Sequence, residues 1–203
     1  MNKYIDKYLD EAQRITKEID RESIEKTIKR ILVVKQKKGR IFFLGVGGSA
    51  ANCSHAVNDF RKIAEIESYT PMDNIAEMSA RINDDGWETI FKSWLEGSKI
   101  NKDDLVFVLS VGGGNKKNGI SVNLISAIDY AKKVGCDVVG IVGRDGGYTA
   151  QNSHACVIIP TQSNETITPH VEAWQAVVWH LIVTDPRVQS HSNKWESIIK
   201  KDK

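Results

Sequence analysis

Ile5, Tyr8, Leu9, Ala12, Ile15 and Ile19, then Ile24, Ile28, Ile31 and Leu32, recur every three or four positions with charged residues between them. That is the spacing of an amphipathic helix. The polar stretch Asp20-Arg21-Glu22-Ser23 interrupts it, so residues 3–33 read as one long helix or two. From residue 41 the pattern changes to short unbroken apolar runs: Ile41-Phe42-Phe43-Leu44, then residues 105–109, 137–142 and 156–159. Such runs read as strands buried on both faces. Residues 65–71, stopped by Pro71, read as one more short strand. Helical stretches lie between: about 48–64, two over 73–100, one over about 122–134, and a last one from about 169 to 183. The pair over 73–100 is divided at Asn83-Asp84-Asp85-Gly86, with the second helix starting at Trp87 and presenting Trp87, Ile90, Phe91, Trp94 and Leu95 to the core.

Buried strands alternating with helices predict an α/β fold, a three-layer αβα sandwich around a five-stranded parallel sheet, preceded by an N-terminal helical segment. The expected organisation is one domain over residues 1–203: a helix or helix pair over 1–38, an α/β core over 39–183, and a polar tail over 184–203. A helical segment ahead of the first strand has no strand crossover to cover. Its apolar stripe is expected to pack on another subunit, or to wrap over its own domain.

Composition narrows the functional classes. A net charge of +2 with 27% charged residues, and no basic cluster interleaved with aromatics, gives no sign of nucleic-acid binding. No apolar run approaches the roughly 20 residues of a membrane span, and the N-terminus lacks the apolar centre of a signal peptide, so no membrane role and a cytoplasmic location are expected. Cys53, Cys136 and Cys156 are widely spaced and odd in number, which fits buried fillers better than a disulfide framework or a structural zinc site.

The candidate chemistry gathers at the glycine-rich ends of the strands. Gly45-Val46-Gly47-Gly48-Ser49-Ala50-Ala51 joins the first strand to a helix, and a helix that starts this way points free N–H groups and its positive dipole end at an anion. The loose Gly-x-Gly-x-x-Ala match with Glu67 further on also admits a dinucleotide. Ser49 at the helix start suits a monophosphate better. A second turn, Ser110-Val111-Gly112-Gly113-Gly114-Asn115, offers a hydroxyl, close backbone approach and an amide. A third, Gly143-Arg144-Asp145-Gly146-Gly147, follows the next strand. His55 and Asp59 share one helix face. The last helix carries Glu172, Gln175 and His180 in an otherwise apolar segment. Two imidazoles and two carboxylates suit Zn²⁺, although Glu172 and His180 are separated by about 12 Å of helix rise.

These residues resemble the sugar isomerase (SIS) domain proteins, and among them the phosphoheptose isomerases. The likeness covers about residues 3–183 and rests on the Gly-x-Gly-Gly-Ser-Ala-Ala turn with His55 six positions after Ser49, the Asn83-Asp84 turn before an aromatic helix, Gly143-Arg144-Asp145-Gly146-Gly147, and His180 eight positions after Glu172. It implies a homotetramer with active sites between subunits, and a metal, typically zinc, held by His55, Asp59, Glu172 and His180. It also implies interconversion of sedoheptulose 7-phosphate and D-glycero-D-manno-heptose 7-phosphate for heptose-containing surface glycans. Asp59 is then the general base and His180 the acid. Gly47, Gly48, Ser49, Asp84, Ser110, Gly112, Gly113, Gly114, Asn115 and Glu172 surround the sugar phosphate. Three positions depart from the family pattern: Asp59 replaces Glu, Glu172 replaces the common Gln, and the second loop keeps only Ser110 of the hydroxyls in Ser-Thr-Ser-Gly-Asn-Ser. The thinned loop leaves a non-catalytic SIS module that binds a sugar phosphate as the alternative.

Overall fold

Asp20 decides where the N-terminal stripe breaks. Its side chain accepts the Glu22 backbone N–H at 2.9 Å and caps a new helix, so the segment is two helices, α1 (Lys3–Glu18) and α2 (Arg21–Lys37). The computed structural model describes residues 3–192. Trp195, in the polar tail and expected from the sequence to pack at an interface, lies outside them.

Five strands follow: β1 (Ile41–Leu44), β2 (Ser68–Tyr69), β3 (Leu105–Ser110), β4 (Asp137–Val142) and β5 (Ala155–Ile158). They form one all-parallel sheet in the order β2-β1-β3-β4-β5, with Ile41 opposite Leu105 and Leu105 opposite Asp137. Every residue of β1 and β3 is buried, as the unbroken apolar runs require. The chain adds β2 on one side of β1 and then crosses to place β3 on the other. Strand order therefore reverses between β1 and β3, the point beyond whose carboxyl ends open α/β sheets bind ligands.

Alternation along the strands sorts the core into two layers. Ile41 and Phe43 of β1 face α2, α3 (Gly48–Lys62) and α8 (Ile167–Val183), packing with Ile28, Ile31, Phe60 and Trp179. Phe42 and Leu44 face the other layer of α4 (Ile75–Asp85), α5 (Ile90–Gly97) and α6 (Val122–Lys133), packing with Phe91, Trp94, Leu95 and Ile128. A one-turn helix, α7 (Gly147–Asn152), joins β4 to β5.

Of the two alternatives for the N-terminal segment, α2 takes the second and lies over β4 and β5 of its own chain, where the crossover between those strands supplies only the short α7. In α1, by contrast, only Glu11 and Ile15 are buried, and Ile5 and Leu9 remain 53% and 57% exposed. The aromatic helix starts at Ile90, not at Trp87, because the Thr89 hydroxyl bonds back to the Asp85 and Gly86 carbonyls and holds residues 86–89 as a turn. Trp87 is consequently 40% exposed and outside the core. Among the described residues no helix is long and apolar enough to cross a membrane.

Candidate active site

At the switch point the first two glycine turns meet. Helix α3 opens after Gly47, at φ +63°, with no side chain capping it, a left-handed conformation that suits glycine. Ser49, in the first turn of the helix, is 2% exposed yet borders a cavity of about 600 Å³. Val46 and Ser49 form one wall, and Ser110, Gly112, Gly114 and Asn115 form the other. This volume suits a small-molecule site, and the uncapped start of α3 beside it favours an anion.

The second turn is rigid. The Gly113 N–H donates to Ser110 Oγ at 3.1 Å. The Gly113 carbonyl accepts from the Thr149 backbone at 2.9 Å and from the Thr149 hydroxyl at 2.8 Å. Gly114 accepts the Tyr148 N–H at 2.8 Å, and Asn115 and Ile120 exchange backbone bonds at 2.9 and 3.0 Å. Gly113 thus turns its carbonyl to α7 and its N–H to Ser110, and it does not line the cavity. Its φ of +68° and the Gly146 oxygen 2.1 Å from where a Cβ would stand leave room for glycine alone.

Helices α3 and α8 lie side by side and run in the same direction. Asn52 Nδ2 donates to the Glu172 carbonyl at 2.9 Å and to Gln175 Oε1 at 3.1 Å; one turn on, the His55 ring meets Trp179 at 4.8 Å between centroids. Further along, Asp59 Oδ2 lies 3.8 Å from His55 Nε2 and 3.7 Å from His180 Nε2. One ligand atom from each of these three residues falls within 4.8 Å of the others. Side-chain exposures of 57% for His55, 44% for His180 and 14% for Asp59 describe a recessed carboxylate between two open imidazoles. His180 Nδ1 lies 2.7 Å from the Ala176 carbonyl. A carbonyl only accepts, so Nδ1 carries a proton, and Nε2 is the ring atom that faces Asp59 and that could ligate a metal. Two imidazoles, a carboxylate and an open side form a donor set of catalytic zinc type.

Parallel packing also explains what stays apart. Glu172 sits at the start of α8, level with the start of α3, so that a methyl added to Gly48 would lie 2.5 Å from its carboxylate carbon. It stands beside the start of α3, does not line the cavity and is not drawn into the His55, Asp59 and His180 group. Asp84 is exposed on α4, where its carboxylate accepts from Asn83 Nδ2 at 2.8 Å, and it does not border the cavity. Gly47 does not line the cavity either; it shapes the turn. Glu67 accepts the Tyr69 hydroxyl at 2.8 Å at the edge strand, which occupies the acid that a ribose would need. Cys53 is fully buried, and burial pushes its thiol far up.

A family model of the SIS domain matches residues 3–143. The chain belongs to the SIS domain family. A lincomycin biosynthesis protein, LmbN, from Streptomyces lincolnensis is 29% identical over 71% of this chain, which spans only about half, 54%, of that relative. The phosphoheptose isomerase of Aneurinibacillus thermoaerophilus is 26% identical over 98% of this chain and 100% of its own length. Among solved structures, the phosphoheptose isomerase GmhA from Neisseria gonorrhoeae superposes with a TM-score of 0.75 at 20% identity, covering 89% of this chain and 93% of that one. This SIS domain also brings a third loop to the cavity. Arg144, Asp145 and Gly147 line it; the glycine-rich motif after β4 was the visible signal, without a role attached to it. Thr149, the clamp on the second turn, carried no sequence signal at all.

Proposed function

We propose that this SIS domain is an aldose–ketose isomerase interconverting sedoheptulose 7-phosphate and D-glycero-D-manno-heptose 7-phosphate. The observation that carries the reading is the Asp59 carboxylate held between His55 and His180 on the helix whose start borders the anion-type cavity. Ser49, Ser110 and the backbone N–H groups of the two turns take the phosphate, and Glu172, set against Gly48, takes sugar hydroxyls on the way to Asp59. Ser49 and Asp59 are separated by about 15 Å of helix rise. A long, open-chain sugar phosphate fits this separation better than a triose or tetrose.

Asp59 removes a proton from C1 of the ketose and returns it to C2, while His180 moves a proton between the C2 and C1 oxygens, through a cis-enediol. As an alternative use of the same side chains, His55, Asp59 and His180 would hold Zn²⁺, which when bound would supply a Lewis acid polarising the two oxygens; a carboxylate on the metal is not at the same time a free base. The exposed Ile5 and Leu9 of α1 and Val177 and Leu181 of α8 support a homotetramer with its sites between subunits. The test is deuterium entry at C1 of sedoheptulose 7-phosphate in D₂O, followed by NMR with zinc-loaded protein. Exchange that disappears in Asp59→Asn supports the reading. No exchange by the intact protein, with phosphate binding retained, would leave the non-catalytic sugar-phosphate module that the thinned hydroxyl loop favours.

A further inference from the structure

We infer that Arg144 is the residue that makes the cavity select a phosphate dianion, a role resting on the reading of the cavity as a phosphate site. Of the cavity's lining residues Arg144 is the one cation. Among the described residues its guanidinium has no hydrogen bond or ion pair. On the second loop Lys116 turns away to Asp129 at 3.9 Å and to the Tyr148 ring at 5.9 Å, and neither it nor the neighbouring Lys117 lines the cavity. The stem of Arg144 lies along Gly112, with Cδ 3.7 Å from where a Cβ of that glycine would be. The charged group therefore extends over the turn that Ser110 begins.

The backbone supports the same conclusion. Arg144 is held at φ +53°, a left-handed conformation that costs a non-glycine residue energy and is retained at functional sites. The surrounding loop fixes it there: Gly143 N–H donates to the Val111 carbonyl at 3.0 Å, Gly146 N–H to Gly143 at 2.9 Å, and Gly147 N–H to Asp145 Oδ1 at 3.1 Å. Glycine would be the relaxed choice at position 144, so a long cation there is retained against local strain. The second turn supplies no hydroxyl after Ser110, and the Ser110 oxygen already accepts a bond from Gly113. A dianion in the cavity would face the neighbouring Asp145 with uncharged donors alone if Arg144 were absent. A guanidinium offers paired donors matched to phosphate oxygens.

The test is calorimetric titration of inorganic phosphate into the intact protein and into Arg144→Gln, Arg144→Lys and Arg144→Gly, at several salt concentrations. Arg144→Gln should weaken phosphate by about ten- to a hundred-fold, the loss expected for a charge-assisted bond, and should flatten the salt dependence. Arg144→Lys should recover part of the affinity. Arg144→Gly should weaken binding while its melting temperature stays equal to or above the parent's, which separates ligand binding from folding. Parent-like affinity and salt dependence in Arg144→Gln and Arg144→Gly, with phosphate still bound, would overturn the role of Arg144 and leave the phosphate site standing. If the intact protein binds no phosphate, the phosphate reading itself falls and this role falls with it.

Discussion

Replacing Gly113 by alanine tests whether the clamp between the second turn and α7 shapes the site. The added Cβ would stand 2.1 Å from the Gly146 oxygen and 2.8 Å from its carbonyl carbon. Both are backbone atoms, so no rotamer relieves the clash. At φ +68° alanine also carries left-handed strain of about 1–2 kcal/mol. Moving the turn to make room breaks the two bonds from Thr149 to the Gly113 carbonyl, each worth about 0.5–1.5 kcal/mol. The expected loss is about 2–5 kcal/mol of a total stability of about 5–15 kcal/mol, so the variant should fold at low temperature with a lowered urea midpoint. The same shift would displace Ser110, Gly112 and Gly114, and phosphate affinity measured by calorimetry should fall alongside stability. Thr149→Val isolates one part of this, because it removes only the hydroxyl and should cost about 1 kcal/mol. A Gly113→Ala protein with parental urea midpoint and parental phosphate affinity would refute the clamp.

Three further outcomes are expected. Glu11 is 1% exposed, and burial pushes its carboxyl up, but hydrogen bonds from the Thr166 hydroxyl at 2.7 Å and from His170 at 3.0 Å prevail and hold its pKa below the usual 4.5. A group lowered in the folded state contributes stability above its unfolded pKa and loses it as pH falls through the folded one; Glu11→Gln should therefore flatten the decline in urea stability below about pH 4.5, and an unchanged decline would remove Glu11 as its source. Competition with a chromophoric chelator should show one tightly bound Zn²⁺ per chain, and at least a tenfold weaker one in Asp59→Asn, whereas equal affinity in the two proteins would exclude Asp59 as a ligand. Burial pushes the Cys136 and Cys156 thiols up to about 12 and that of Cys53 further, so Ellman's reagent at pH 8 should react only after urea is added; fast reaction of the folded protein would contradict that protection.

The strands were legible because each parallel strand is covered on both faces and leaves an unbroken apolar run, as in Phe107 and its neighbours. The two glycine turns were legible because an anion cradle and a left-handed backbone both require glycine. Thr149 was not legible, since its hydroxyl matters only through a carbonyl 36 positions away in sequence. Nor was Glu11 with His170: a buried carboxylate on an otherwise solvated helix looks, in one dimension, like one more surface charge. Trp87 misled because its spacing matches the helical stripe, whereas the local bonds of Thr89 decide where that helix begins.

The parallel pairing of α3 and α8 bears on two of the three departures from the family pattern. It places Glu172 at the start of α3 and Asp59 between His55 and His180 several turns further on. A carboxylate at the first position would oppose a phosphate bound, as proposed, to the same helix start, and a glycine-rich second turn would offer that phosphate few hydroxyls. Both changes would weaken such a cradle, and Arg144 from the third loop is the one lining cation available to offset them. Asp59, a methylene shorter than glutamate, remains recessed at 14% exposure while the two rings stand open, so on the proposed reading a sugar carbon would have to descend between the imidazoles to reach it. Glu172→Gln and Arg144→Gln should accordingly move phosphate affinity in opposite directions. Because the proposed proton transfers lie with Asp59 and His180, both effects should appear in KM, with kcat unchanged.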